Sequence, residues 1–469
     1  MSLSLGPARD AALQHAATLV ARAWREFDVA REEETLPGPA LLARLREPLP
    51  EAPGAPIEEL DLAADVLDAS LAQSRPRYLA YIGSSGLEIG ALADLLAHSY
   101  DINLALDARA ATLLEQQAIG WLADFLGYPA GSGSFTSGGT ISNLTALAAA
   151  RERALPGTRT HGMAGHRAAV YCSAEAHYSV TRAAELLGVG RDNVRAVPID
   201  ARRRLSVPAL EELLDRDLRD GVTPIAVVAT AGTTLTGAVD PIGAIVDVCA
   251  EPGVWVHVDG AYGLPAAAAP STAARFAGLD RVDSLSVDAH KWMFVPKACS
   301  AVLVRSTAAL ASAFSHNEAY IPHEDDALNA VDVTLEYSRP FRALKLWLAL
   351  RVHGARAFRD AIEDNLDQAR LLYEAAEAHP RLRPRPHPPQ LSITPLQHVV
   401  PGCPDVGRHN EELCRAMQHD GRVFVSPAII DGATWLRPCF TNFRTTRADV
   451  DVLVAVADEL GQRVCPGHG

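Results

Sequence analysis

Of the 43 lysines and arginines in this chain, only Lys291, Lys297 and Lys345 are lysines, and Lys291 sits in the run Ser286-Val287-Asp288-Ala289-His290-Lys291-Trp292. A lysine amine freed of its proton adds to carbonyl carbons and forms imines; a guanidinium does not. Lys291 is therefore either an imine-forming nucleophile or one solvated charge in an arginine-biased chain. Four other stretches hold residue types that chemistry uses. Residues 135 to 143 read Phe-Thr-Ser-Gly-Gly-Thr-Ile-Ser-Asn, directly ahead of an Ala/Leu-rich segment. Glycines there let the backbone approach a ligand, and a helix start offers free N–H groups with partial positive charge. With the hydroxyls of Ser137 and Thr140 this is a cup for one phosphate group, or else a plain helix cap with glycine at the turn. It matches neither the nucleotide P-loop nor GxGxxG, so a nucleotide is not favoured.

Asp259 follows the apolar run Val254 to Val258, in Val256-His257-Val258-Asp259-Gly260-Ala261-Tyr262. Open α/β sheets bind ligands at such strand ends. A carboxylate there needs a partner to offset its desolvation, and a protonated pyridine nitrogen would serve; the alternative is a structural aspartate capping the next turn. His177, in Glu175-Ala176-His177-Tyr178-Ser179-Val180, is either a flat face for a cofactor ring and a proton carrier, or a capping histidine. Thr230-Ala231-Gly232-Thr233-Thr234 lines a crevice or satisfies a turn. Singly each signal is weak. Their order along the chain describes a cofactor that needs a phosphate anchor, an aromatic ring, a pyridinium counter-ion and an imine lysine. That cofactor is pyridoxal 5′-phosphate.

The elements that must position these residues are legible in outline. Residues 9–31 and 57–74 show helical periodicity around a Pro- and Gly-bearing connection, and predict an amino-terminal arm without a core of its own. From about 86 to 350, short β-branched runs alternate with helical segments. Strands are predicted at 168–172, 194–197, 225–229, 254–258, 284–287 and 301–304, and helices at 140–153, 178–188, 208–219, 241–250 and 340–353. Such alternation predicts an α/β fold with a mostly parallel sheet covered on both faces. Residues 380–408 read as a loop with one strand, and 409–469 as helix, strand pair and helix, a smaller α/β unit. The expected divisions are 1–85, 86–350 and 351–469.

Composition excludes several classes. A hydrophobic content of 48% with 21% charged residues is that of a soluble globular protein. The net charge of −14 argues against nucleic-acid partners and anionic membrane surfaces. Seven widely spaced cysteines form no CxxC pair and no disulfide framework, so they read as reduced thiols. The first residues carry no targeting signal and no segment reads as a bilayer span, which together predict a cytoplasmic protein.

The stretches TSGGTISN, AEAHYSV, ATAGTTLTGAVDPI, HVDGAYG, SVDAHKW, SRPFRALKLW and LRPCFTNFRTT resemble, in order and over residues 78 to 446, the group II pyridoxal-phosphate decarboxylases. That family includes aromatic-amino-acid, histidine and glutamate decarboxylases. The resemblance implies a fold type I homodimer with active sites between subunits, and a seven-stranded type of sheet in the large domain. It implies that Lys291 forms the imine, Asp259 partners the pyridine nitrogen, Ala261 lies against the ring and His177 stacks on it. Gly139 and Thr140 match the phosphate-binding turn, Thr234 and His290 match positions near cofactor and substrate, and Ser338 matches one that reaches a phosphate across the subunit boundary. Ungapped counting from Lys291 puts Tyr320 at the loop tyrosine that returns a proton to Cα. The implied reaction is decarboxylation of an L-amino acid to its amine and carbon dioxide. Its rivals are an oxygen-consuming, aldehyde-forming decarboxylative deaminase, and a transaminase or carbon–carbon lyase on the same fold. Around residues 81–86 the aromatic-specific members carry bulkier side chains and at 101–104 aromatic ones; here 81–86 is expected to present small residues and 101–104 holds no aromatic, which argues against a dopa- or tryptophan-type substrate and leaves open a larger biosynthetic one.

Overall fold

Seven short runs between residues 132 and 304 assemble into one sheet: β1 Ser132–Thr136, β2 Ala168–Ser173, β3 Val194–Val197, β4 Thr223–Thr230, β5 Trp255–Asp259, β6 Ser284–Asp288 and β7 Ser300–Val304. Their order across the sheet is β1-β7-β6-β5-β4-β2-β3, with β7 the one strand antiparallel to its neighbours. The computed structural model describes residues 3–33, 35–71, 73–83, 85–105, 107–316 and 329–464. Strand β4 shows why the sheet forms. Val227 and Ala229 enter one apolar core while Ala226 and Val228 enter the other, so both faces are buried. Helices Gly139–Ala154 and Ser179–Leu186 help cover one face, and Val207–Arg219 and Ile242–Ala250 the other.

Six strands lie where the apolar runs predict them, with ends displaced by two residues at most. Strand β1 was not expected. Its sequence, Ser-Gly-Ser-Phe-Thr, has little β propensity, and it is held by antiparallel pairing with β7 from Ser132↔Val304 to Thr136↔Ser300. Gly133 permits that pairing: a Cβ there would lie 2.8 Å from the carbonyl oxygen of Val302. The consequence is functional, because β1 delivers the Ser137-Gly138-Gly139 turn to the same sheet edge as Asp259.

The helix predicted at 340–353 belongs to a much longer element, Ala343–Ala378, bent at Gly354 where φ is 74°. It leads into a second sheet of β8 Leu382–Pro384, β9 Leu396–His398, β10 Ser426–Ile430 and β11 Ala433–Arg437, in the antiparallel order β10-β11-β9-β8. Residues 380–408 thus hold two strands rather than one. Helices Val406–Asp420 and Arg447–Arg463 close this core with Leu413, Met417, Val450 and Leu453. Residues 77–79 also join it. Leu79 is fully buried there, its N–H donates to the Phe424 carbonyl at 2.8 Å and its carbonyl accepts from Cys439 at 2.9 Å.

The amino-terminal helices Arg9–Phe27 and Pro56–Asp68 pack on each other through the His15–Asp61 and Arg22–Asp68 contacts, both 2.7 Å. Only Ala12 is buried in the first and no residue in the second, while Leu13, Val20 and Leu67 are exposed. This fits an arm without its own core. Among the described residues no helix is long and apolar enough to cross a membrane.

Candidate active site

The carboxyl ends of β2, β4, β5 and β6 and the turn after β1 converge on one cleft of about 340 Å³. Gly139, Thr140, His177, Thr234, Asp259, Ala261, His290 and Lys291 all line it. Residues up to 152 positions apart in sequence, Gly139 to Lys291, meet because parallel strands point their carboxyl ends the same way.

Lys291 stands on the single helical turn Ala289–Trp292 after β6, with its Nζ 2.8 Å from Asp288 Oδ2. Asp288 is 2% exposed on its side chain and its Oδ1 has no hydrogen-bond partner. His290 Nδ1 lies 2.9 Å from the Cys299 carbonyl, and burial lowers its pKa. Behind this turn Trp292 is fully buried, stacks on Tyr262 at 5.2 Å and donates to Asn365 Oδ1. The lysine therefore rises from a rigid base.

Asp259 closes β5. Its Oδ2 accepts from Asn143 Nδ2 at 3.0 Å, and its Oδ1 from the Ala261 N–H at 3.2 Å. All these donors leave it a paired, buried carboxylate facing the cleft. His177 precedes the helix Ser179–Leu186; its Nδ1 lies 2.9 Å from Ser179 Oγ. Burial lowers its pKa, partly opposed by Asp259. Gly139 opens the helix Gly139–Ala154, and a Cβ on it would come within 2.8 Å of Ala261 Cβ and 3.2 Å of Asp288 Oδ2. Only glycine lets this turn close over the cleft.

Of the residues that the resemblance assigns to the site, one described residue is not gathered here. Ser338 is exposed and does not line the cleft; its hydroxyl accepts from Asn103 Nδ2 at 3.3 Å. Tyr320 lies outside the described residues. The structure also adds residues that sequence reasoning passed over: Asn143, Asp288, Arg437, Tyr81 and Ile82. Arg437, 4% exposed, donates to the Thr234 carbonyl and Ser426 Oγ, both 2.9 Å, and arrives from β11 in the second sheet. No local sequence signal ties it to the first. Tyr81 and Ile82 correct an expectation. The stretch 81–86 was expected to present small side chains, yet its two largest reach the cleft; Tyr81 is turned there by a φ of 54°. Residues 101–104 do not line it, and Leu104 borders a separate cavity with Glu115 and Arg339.

The cleft can hold a flat, phosphate-bearing aldehyde. It offers one amine, a helix start, the carboxylates of Asp259 and Asp288 and an imidazole. Two cleft atoms, Asp288 Oδ1 and Thr230 Oγ1, are buried without protein partners, as expected of groups awaiting a ligand. Sheet order and donor set together define a pyridoxal-phosphate enzyme of fold type I. More narrowly, residues 51–383 match the pyridoxal-dependent decarboxylase conserved domain, and the chain belongs to that family. It is a carboxy-lyase whose cofactor is pyridoxal 5′-phosphate. It is 31% identical over 442 residues to an aromatic-L-amino-acid decarboxylase of Bacillus atrophaeus, covering 92% of this chain and 91% of the relative. It is 35% identical over 358 residues to an L-2,4-diaminobutyrate decarboxylase of Rhizobium meliloti strain 1021, covering 75% and 70%. The solved structure of mouse CSAD has a TM-score of 0.91 at 26% identity, over 98% of this chain and 99% of that chain.

Proposed function

We propose that this enzyme converts an L-amino acid with an apolar or aromatic side chain to its amine and carbon dioxide, with Lys291, Asp259 and His177 as the catalytic groups of the described cleft. The observation that carries this reading is the convergence of an amine, a buried carboxylate and an imidazole around one phosphate-sized turn. When bound, pyridoxal phosphate supplies an electron sink for the pair left by the departing carboxylate. Lys291 would anchor it through its amine. Gly139 and Thr140 hold the phosphate with backbone and hydroxyl donors. Asp259 would hold the proton of the ring nitrogen, His177 and Ala261 would lie against the ring, and Thr234 and His290 line the approach of the substrate. Arg437 is, with Lys291, a cation among the described lining residues, and is assigned to the substrate carboxylate. Tyr320 is assigned the return of a proton to Cα.

Tyr81 and Ile82 present an aromatic ring and an aliphatic side chain to the cleft, whereas Asp259 is engaged with Asn143 and Asp288, through Oδ2, with Lys291. That favours an apolar side chain over a diamine. A screen of holoenzyme against amino acids, following carbon dioxide and oxygen together, tests both parts. The expected result is carbon dioxide release from aromatic or large aliphatic substrates without oxygen uptake. Preferential turnover of 2,4-diaminobutyrate overturns the side-chain assignment, and stoichiometric oxygen consumption overturns simple decarboxylation. In the same assay Tyr320→Phe is expected to lose amine formation and gain oxygen uptake.

A homodimer is proposed as the working unit. The exposed apolar residues of the amino-terminal helices are joined by Leu92, Leu95, Leu96 and Tyr100 on the helix Glu88–Tyr100, a face suited to a second copy. Ser338 would then act across the boundary. Light scattering of the holoenzyme should return twice the 50.0 kDa chain mass; a fully active monomer refutes the proposal.

A further inference from the structure

Strand β5 has alternating faces. Val256 and Val258 enter an apolar core, while Trp255, His257 and Asp259 share the opposite face. Beside them β6 places Ser284 opposite His257 and Ser286 opposite Asp259. The helix Gly139–Ala154 covers this polar strip, with Asn143 1% exposed. The contacts form one chain. Trp255 Nε1 donates to Ser284 Oγ at 2.8 Å, and Ser284 Oγ lies 2.8 Å from His257 Nδ1. His257 Nε2 lies 3.0 Å from Asn143 Oδ1. Asn143 Nδ2 reaches Asp259 Oδ2 at 3.0 Å and Ser179 Oγ at 2.9 Å, and Ser179 Oγ reaches His177 Nδ1 at 2.9 Å.

Donor directions in this chain are not free. An indole N–H only donates, so Ser284 Oγ accepts from Trp255. A carboxylate only accepts, so the Asn143 amide nitrogen faces Asp259 and its oxygen faces His257. His257 must then carry its proton on Nε2, which is consistent with burial lowering its pKa to about 4 and keeping it neutral. Ser179 Oγ accepts from Asn143, while the Ser179 N–H donates to His177 Nδ1 at 3.3 Å, so Nδ1 is an acceptor towards which the Ser179 hydroxyl proton can also point. The neutral His177 ring is left with its proton on Nε2. Asp259, Asp288 and Lys291 are the charged groups acting on that ring.

We propose that Asn143, held by Asp259 and braced by His257, is a positioning residue that orients Asp259 and, together with the Ser179 N–H, fixes His177 as the Nε2-protonated tautomer. His257 does not line the cleft. The claim rests on the reading of His177 and Asp259 as catalytic, but its first test does not.

Nitrogen NMR of histidine-labelled protein, with His177 assigned through His177→Gln, reads the tautomer directly with and without cofactor. The wild type is expected to show Nε2–H. In Asn143→Leu, the Ser179 hydroxyl loses its donor and can accept from Nδ1–H, and in His257→Leu Asn143 Oδ1 is left buried without its donor, so the amide shifts between Asp259 and Ser179; both should give a tautomer mixture. His257→Gln restores a donor to Asn143 and should restore the wild-type signal. For the holoenzymes, kcat should fall about tenfold in His257→Leu, with KM changed much less, and recover in His257→Gln. Matching wild-type melting of His257→Gln and retained helicity of the leucine variants establish that folding survives. An Nδ1–H or mixed tautomer in the wild type, or an Nε2–H signal unmoved in both leucine variants, overturns the proposal. A tautomer that responds as stated while turnover does not supports the chain and overturns instead the catalytic role given to His177.

Discussion

Replacing Lys291 with alanine is expected to abolish decarboxylation and the visible absorbance of the lysine-linked cofactor. No other lysine can substitute. Lys345 is engaged with Asp94 at 2.7 Å and Lys297 with Gln73 at 2.8 Å, and neither lines the cleft. The same substitution has a structural cost, because Asp288 loses the amine at 2.8 Å while remaining almost wholly buried. Leaving such a group unpaired costs about 1–3 kcal/mol, so the melting temperature should also drop. Lys291→Arg separates the two effects. A guanidinium can keep the ion pair with Asp288 but cannot form an imine, so this variant should melt near the wild type and still be inactive. Measurable steady turnover in either variant, above the level of free pyridoxal phosphate in solution, would refute the assignment of Lys291.

Asp259→Asn is expected to be the next most damaging change, with kcat reduced about 10²–10³-fold. The amide is nearly isosteric, so the cleft keeps its shape. It lacks the charge that, in the proposed role, would hold a proton on the ring nitrogen, and without that proton the electron sink would be weak. An amide also meets Asn143 Nδ2 and the Ala261 N–H, the donors that now serve a carboxylate at 3.0 and 3.2 Å. One of its two ends will face a like group. Cofactor should still bind through Lys291 and the Gly139-Thr140 turn, so a spectrum of the reconstituted variant distinguishes impaired chemistry from lost binding. Turnover within threefold of wild type, with cofactor fully loaded, removes Asp259 from the catalytic role.

Both predictions could be framed from sequence because the residues concerned sit in strongly patterned surroundings. The apolar run before Asp259 is a buried strand and could be little else, and a polar residue at its end stands out. Lys291 stood out through composition, since arginine had replaced nearly every other lysine. Signals of that kind are local, and they survive the absence of coordinates. The β1 strand lacked them: Ser-Gly-Ser-Phe-Thr becomes a strand only because β7 supplies its pairing partner.

The sequence by itself determined which residues carry reactive groups, the alternation of strand and helix that sends them to one sheet edge, and the cofactor their combined chemistry requires. Tertiary structure alone decided who stands beside them. It set Asp288 against the lysine and brought Arg437 across from the second sheet. It turned Tyr81 into the cleft, and it joined Asn143 to His257, 114 residues away. The physical reason is that strand formation depends on a few adjacent side chains, whereas hydrogen-bond direction and burial depend on atoms brought together only when the sheet closes.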